Sequence, residues 1–242
     1  TTSPTVVVVA GTVVVTAVDI VVLSTAGTVV VEPVVVVSRA RVSAGAPVSI
    51  EACSSTSTGA VSQSRLVTWA TQEGGFSSAD WTPAATNTAG DFELRTEGAL
   101  VCGRKTRSGT LLWTTTDLWA ATYIGGSFVY RFDQAGNRCG IISPGAAVVL
   151  DSGAYWMGDN GFYVYDGFVQ PIPCDVHDYV FGSLNRTYAH YIWAIENPTF
   201  GEVTWFYPHA AQTEITRYVT YNYREGHWVT GALERTCGIA IQ

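Results

Sequence analysis

Charged side chains are scarce in this sequence. They make up 14% of its 242 residues, against roughly 25% in an ordinary soluble domain, so much of the chain is expected to rest against something other than water. Positive charge is scarcer still, with 13 Lys and Arg, scattered, against 20 Asp and Glu. A groove-bound or wrapped nucleic acid needs a basic patch, and sequence-specific nucleic-acid binding is therefore not expected. Close cysteine pairs are missing as well. Cys53, Cys102, Cys139, Cys174 and Cys237 form no CxxC unit, which argues against a structural zinc cluster. Their odd number rules out complete pairing within the chain, and buried free thiols are the expected state. No basic stretch precedes the apolar start, which speaks against a conventional signal peptide. The valine-rich tract is interrupted by Gly11, Thr12, Asp19, Gly27, Thr28, Glu32 and Pro33 before it accumulates the roughly 18 apolar residues of a membrane-spanning helix. No integral membrane association is expected.

Catalytic patterns are equally thin. His177, His190, His209 and His227 include no HxxxH pair, and none adjoins a Ser or Cys nucleophile signature. They read as surface or interface residues, and an enzyme is not expected. Asp175, His177 and Asp178 lie close in sequence, which suits a helix start or a turn, where a carboxylate meets unsatisfied N–H groups. Asp159, Asn160 and Asp166 offer oxygen ligands around a glycine-rich hairpin, but the twelve-position calcium loop is absent. The Gly158 to Gly161 stretch lacks the lysine and following helix of a phosphate loop. No cofactor is expected.

What the chain does have is β-branched and aromatic residues, in two different regimes. Residues 1–60 repeat Gly-Thr-Val-Val-Val at 11–15 and 27–31 and add Val6 to Val9 and Val34 to Val37. Branching at Cβ stiffens the side chain and favours the pleated surface of a strand, so this region is read as a small β unit. Ser54 to Gly59 is a polar loop or linker, and residues 61–242 form the second region. There Leu66 to Trp69 reads as a strand, and Thr71 to Gly90 as mostly irregular, with Trp81 as an anchor.

From Thr110 the pattern sharpens into an all-β succession of short antiparallel strands. Leu111 to Thr114, Leu118 to Tyr123 and Phe128 to Phe132 form one group, and Ala146 to Leu150, Ala154 to Met157 and Phe162 to Tyr165 a second. Tyr191 to Glu196, Glu202 to Tyr207, Arg217 to Asn222 and His227 to Gly231 form a third. The turn candidates are Asp159, Asn160 and Gly161, where Asn-Gly suits a primed hairpin turn, and Asp166 with Gly167. Pro171 and Pro173 exclude an uninterrupted central strand. Cys174 to Asn185 is the place for a short helix, with Val176, Tyr179, Val180 and Leu184 on its buried stripe. Four-stranded units of this size fit propeller blades, and a β-sandwich is the alternative. Trp156, Phe162, Tyr165, Trp205, Tyr207, Tyr221 and Trp228 are candidates for core or interface, since alternation sends some inward and leaves others for a partner.

Several blocks carry a family resemblance. They are Trp81-Thr82-Pro83, Gly90-Asp91-Phe92, Leu112-Trp113-Thr114 with Leu118-Trp119, Tyr123-Ile124-Gly125, and the run from Cys139 to Ala147. The run from Tyr155 to Gly167 is the most specific. Leu184-Asn185-Arg186, Glu202 to Pro208, Arg217-Tyr218-Val219, Tyr221-Asn222-Tyr223 and Leu233-Glu234-Arg235-Thr236 complete the series. In this order the blocks resemble a family of tailed-bacteriophage virion proteins of the tail, hub or nozzle. The resemblance implies a virion location, in the tail, hub or head-tail connection, a structural role in assembly, and a propeller-like arrangement of sheets. It implies other virion or tail proteins as partners, with a homo-oligomer expected. The chain is short for a closed ring, so its open sheet edges would be completed by neighbours. A receptor- or glycan-binding module on the same particle is the alternative.

Overall fold

The computed structural model describes residues 64–71, 78–126 and 128–238, together with the strand backbone of 37–38 and 50–51. The Gly-Thr-Val-Val-Val repeats lie outside these residues. Near the valine-rich region, β1 (Val37–Ser38) pairs antiparallel with β2 (Ile50–Glu51). Then follow β3 (Leu66–Trp69), β4 (Gly90–Glu93), β5 (Leu100–Lys105), β6 (Thr110–Thr114), β7 (Leu118–Tyr123) and β8 (Tyr130–Gly136). The next four are β9 (Ala147–Leu150), β10 (Gly153–Met157), β11 (Phe162–Tyr165) and β12 (Val169–Ile172). Helix α1 (His177–Gly182) and a 3-10 segment (Arg186–Tyr191) lead to β13 (Trp193–Asn197), β14 (Glu202–Pro208), β15 (Ile215–Asn222) and β16 (His227–Ala232).

The chain divides into two compact units, one of residues 1–63 and 68–91, the other of 64–67 and 92–242. In the first, a 3-10 turn over Ser78–Trp81 closes against Thr71, whose N–H donates to the Asp80 carbonyl at 2.8 Å. The Trp69 indole N–H reaches the Thr88 carbonyl at 2.9 Å. The second unit holds three four-stranded antiparallel sheets, ordered β5-β6-β7-β8, β12-β11-β10-β9 and β13-β14-β15-β16. Each is a meander, in which every strand pairs with the one next to it in the chain.

Alternation explains the core. Val203 and Trp205 on β14 and Val219 on β15 are buried, as are Trp156 on β10, Phe162 on β11, and Trp113 with Leu111 on β6. They belong to one continuous hydrophobic cluster that runs through all three sheets and includes Val180 and Phe181 of α1. Trp156, Trp205 and Trp113 are fully buried. Two of them bridge sheet and connection: the Trp156 N–H donates to the Cys139 carbonyl and the Trp205 N–H to the Ala146 carbonyl. Between the first two sheets the chain passes so close to the β6–β7 turn that a Cβ on Gly140 would stand 2.1 Å from the Thr115 carbonyl oxygen. Only glycine fits there.

The propeller expectation is overturned. The sheets are separate and open, and none is closed or curled. Three four-stranded units also fall short of the roughly four to eight blades with which such rings close. A four-stranded meander is the repeat of both open and closed architectures, so the local pattern could not tell them apart. Smaller differences have local causes. β12 forms despite Pro171 because it lies at the edge of its sheet, where a missing N–H costs no ladder bond. In the α1 region Val180 and Leu184 are buried as expected, but Tyr179 is 49% exposed and Phe181 turns inward instead. The helix is a turn and a half long, too short for a full stripe.

Candidate functional site

The aromatic residues singled out from the sequence divide cleanly. Trp156, Phe162, Trp205 and Tyr207 are buried, while Tyr165, Tyr221 and Trp228 are half-buried. Phe162 lies 4.9 Å from Trp205 and 4.6 Å from Trp228, ring centre to ring centre, and Tyr221 is 4.6 Å from Trp228. Aromatic pairs at such separations are packed in contact. These rings therefore join the second and third sheets from within.

Four large apolar side chains that do face solvent sit elsewhere, at hairpin tips. Ile124 and Phe128 flank the β7–β8 turn, Phe168 lies in the β11–β12 turn, and Phe200 in the β13–β14 turn. Phe128 is 77% exposed, Phe200 63% and Phe168 61%. Each tip carries glycine in the left-handed region: Gly125 at φ 70°, Gly126 at 74°, Gly167 at 123° and Gly201 at 73°. A side chain beside such a turn projects beyond the ladder and finds no core on its own sheet. Sequence reasoning missed Phe168 and Phe200 as surface candidates. The signal was present as an aromatic next to a turn glycine.

The second turn of the middle sheet differs from its expected form. The Gly158 N–H donates to the Gly161 carbonyl at 2.8 Å, which centres the turn on Asp159 and Asn160. Neither has positive φ, since Arg138 is the one non-glycine with positive φ among the described residues. It is therefore not the primed Asn-Gly turn that the sequence suggests. A cation from another segment holds it: Arg186 donates to Asp159 Oδ1 at 3.1 Å, to the Asp159 carbonyl at 3.0 Å and to Asn160 Oδ1 at 3.1 Å. Asp166 belongs to the turn at the other end of β11, so the three oxygen-bearing residues do not converge.

His177 completes this clamp. Its Nε2 lies 3.1 Å from the Asn160 carbonyl and its Nδ1 3.0 Å from Asp178 Oδ1. Both partners are acceptors, so only the imidazolium donates to both. The hydrogen bond to Asp178 and then that to Asn160 raise the His177 pKa above its ordinary 6.5. A raised folded pKa means that the stabilisation is complete below pH 6.5 and is lost as pH rises through the higher folded value. Amide exchange at Asp159 to Gly161 is thus expected to quicken as pH rises through that window, after correction for intrinsic exchange. In His177→Asn the step should vanish, and an unchanged step in that variant would refute the clamp. The segment is a turn at Asp175 and Val176 that runs into the start of α1, with Asp178 in the helix's first turn, but the N-cap is Val176 and no side chain caps the helix.

The remaining chemistry is quiet. Burial pushes the Cys102 and Cys139 thiols up to about 11, and Cys174 is raised for the same reason. Among the described residues all four cysteines are free, and no group of three or more His, Cys, Asp or Glu could hold a metal ion. No helix among them is long and apolar enough to cross a membrane. A shallow cleft of about 390 Å³ is lined by Ser143, His190, Tyr191, Trp193 and Cys237 among others. Beside it the Tyr191 ring lies 4.1 Å from His190 and stacks on Tyr188 at 6.1 Å.

Compared with known proteins, the chain matches no family model and no curated protein. The resemblance to tailed-bacteriophage tail proteins does not stand. Its blocks, such as Tyr155 to Gly167 and Glu202 to Pro208, coincide with hairpins and central strands. Aromatic alternation and turn glycines of that kind are what any meander of this composition requires.

Proposed function

We propose that this chain is a structural subunit that works by joining other subunits in a larger particle. The observation that carries this reading is the set of exposed tips at Ile124, Phe128, Phe168 and Phe200. Each of these large apolar side chains stands at a turn with most of its surface in water, and a partner that covered it would remove that area from water. Open sheets add backbone donors and acceptors at their edges. The test is peptide mass spectrometry of purified particles from the producing culture, combined with cross-linking. Phe128→Ser with Phe168→Ser should release the chain from its assembly while leaving its thermal unfolding nearly unchanged. Recovery of the native chain only as free protein would overturn the proposal.

A second reading, a glycan- or receptor-binding module on such a particle, draws on the Tyr188, His190 and Tyr191 rings beside the cleft. Sugars stack on rings of this kind. Reproducible glycan-array binding that Tyr191→Ala abolishes would support it, and an empty array would remove it.

A further inference from the structure

Asn160-Gly161 is the one Asn-Gly pair in the chain. An asparagine followed by glycine can react with itself, because the glycine nitrogen, unobstructed by a side chain, reaches the asparagine amide carbon by closing a five-membered ring. Three features of the turn bear on that reaction. Asn160 is exposed, so its side chain has room to swing. The Gly161 N–H has no acceptor among the described residues, since the turn closes with the single bond from the Gly158 N–H to the Gly161 carbonyl. The space around the glycine is open as well: beyond its chain neighbours, the atom nearest to a Cβ placed there would be the Tyr163 hydroxyl at 3.8 Å.

The clamp supplies the rest. Arg186 donates to Asn160 Oδ1 at 3.1 Å, the oxygen that takes up negative charge when the amide carbon is attacked. His177 Nε2 lies 3.1 Å from the Asn160 carbonyl oxygen, which belongs to the same peptide group as the Gly161 nitrogen. A cation at that oxygen stabilises the deprotonated amide, which is the nucleophile. Donors already aimed at the places where charge develops lower a barrier with little reorganisation, and here two cations meet the two groups that carry charge in the ring closure. The Asn160 Nδ2 amide has no acceptor among the described residues, so nothing retains it as it leaves.

We infer that Asn160 is a self-modification site, converted to aspartate and isoaspartate through a succinimide whose closure Arg186 and His177 promote. Water or hydroxide takes the Gly161 amide proton, a bond forms between the Gly161 nitrogen and Asn160 Cγ, and the Cγ–Nδ2 bond breaks to release ammonia. Water then opens the ring at one carbonyl to give aspartate, or at the other to give isoaspartate. The net change is hydrolysis of one amide, with water as the only co-reactant. Aspartate sets a second carboxylate beside Asp159, where Arg186 and His177 receive it. Isoaspartate adds a methylene to the main chain of a two-residue turn and breaks its match to the Gly158–Gly161 bond. Because the released ammonia is lost, the change runs one way and marks the age of a chain.

Peptide mapping of the full chain by mass spectrometry, with isoaspartyl methyltransferase labelling, tests the inference during incubation at neutral pH. The reference is the same chain unfolded in guanidinium chloride, where Asn160 and Gly161 meet neither cation. The folded chain should convert Asn160 faster than the unfolded one. Arg186→Leu should slow conversion in the folded chain about tenfold or more, by removing the donor from Oδ1, and His177→Asn should slow it too. Gly161→Ala, for which the turn has room, should slow it in both states, which ties the mass change to closure at this nitrogen. Circular dichroism checks that each variant keeps the fold. A folded wild-type chain that converts no faster than the unfolded one overturns the inference, whatever the variants do. So does a rate that neither the Arg186 nor the His177 change lowers, and a rise in Arg186→Leu would mean that the clamp protects Asn160 instead.

Discussion

Replacing Trp205 with alanine is expected to lower the free energy of unfolding by about 3–5 kcal/mol, the range for deleting a buried tryptophan. The residue has no measurable exposure, and its ring meets Phe162 at 4.9 Å and Trp228 at 6.2 Å. Its removal opens a cavity at the seam between the second and third sheets. The cavity dominates the loss. The Ala146 carbonyl that Trp205 serves still accepts from the Met157 N–H at 3.2 Å, so no acceptor is orphaned. Urea unfolding followed by far-ultraviolet circular dichroism measures the effect. Trp205→Phe should lose clearly less, because most of the ring volume survives. A loss below about 1 kcal/mol for the alanine variant would mean that the seam collapses or is not packed as described.

Asp117→Ala is the second large effect, at about 2–4 kcal/mol, from breaking a buried charge-assisted network. Asp117 and Thr96 are both almost fully buried. The Thr96 hydroxyl donates to Asp117 Oδ2 at 2.5 Å, and the Arg138 N–H approaches Oδ1 at 3.4 Å. Through these two bonds one carboxylate ties the stretch before β5 and the chain leaving β8 to the β6–β7 turn. Arg138 is also the residue at φ 57°, a conformation that costs about 1 kcal/mol for a side chain of this kind and that the carboxylate helps to hold. Alanine leaves the Thr96 hydroxyl with only the Thr116 hydroxyl at 3.1 Å and the Gly98 N–H at 3.2 Å. Asp117→Asn keeps the shape and one acceptor and should retain about half of the lost stability. Equal losses for the two variants in urea unfolding would show that the charge, not the acceptor geometry, governs the turn.

Much of the local structure was legible from residue order. Leu118 to Tyr123 and Phe162 to Tyr165 are strands with the bounds that alternation indicates, because each has β-branched or aromatic residues between turn formers. The edge position of the Pro171 strand follows from a missing donor. β5 was missed because Gly103, Arg104 and Lys105 dilute its apolar signal. Its buried Leu100 and Cys102 do keep a period of two, which was the available clue. β4 has only Phe92 as an apolar member and gives almost no pattern. At the hairpin tips the glycines were visible in the sequence, while the solvent exposure of Phe168 and Phe200 was not, since an aromatic near a turn can fold back or project.

The Asp159–Asn160 turn divides the two sources of information most clearly. Gly158 to Gly161 marks a reversal by composition alone, and that reversal is there. The groups that hold it, Arg186 and His177, lie 26 and 17 residues from Asn160 in the chain and meet it only in the packed arrangement of the middle sheet and α1. The same distinction governs the fold as a whole. Period-two burial and turn chemistry are local, so the sequence by itself determined that the chain forms short antiparallel meanders. Whether those meanders close, and which edge stays open, depends on contacts between sheets. Only the tertiary structure decided that three open sheets share one core and that, among the described residues, β16 pairs on one side alone.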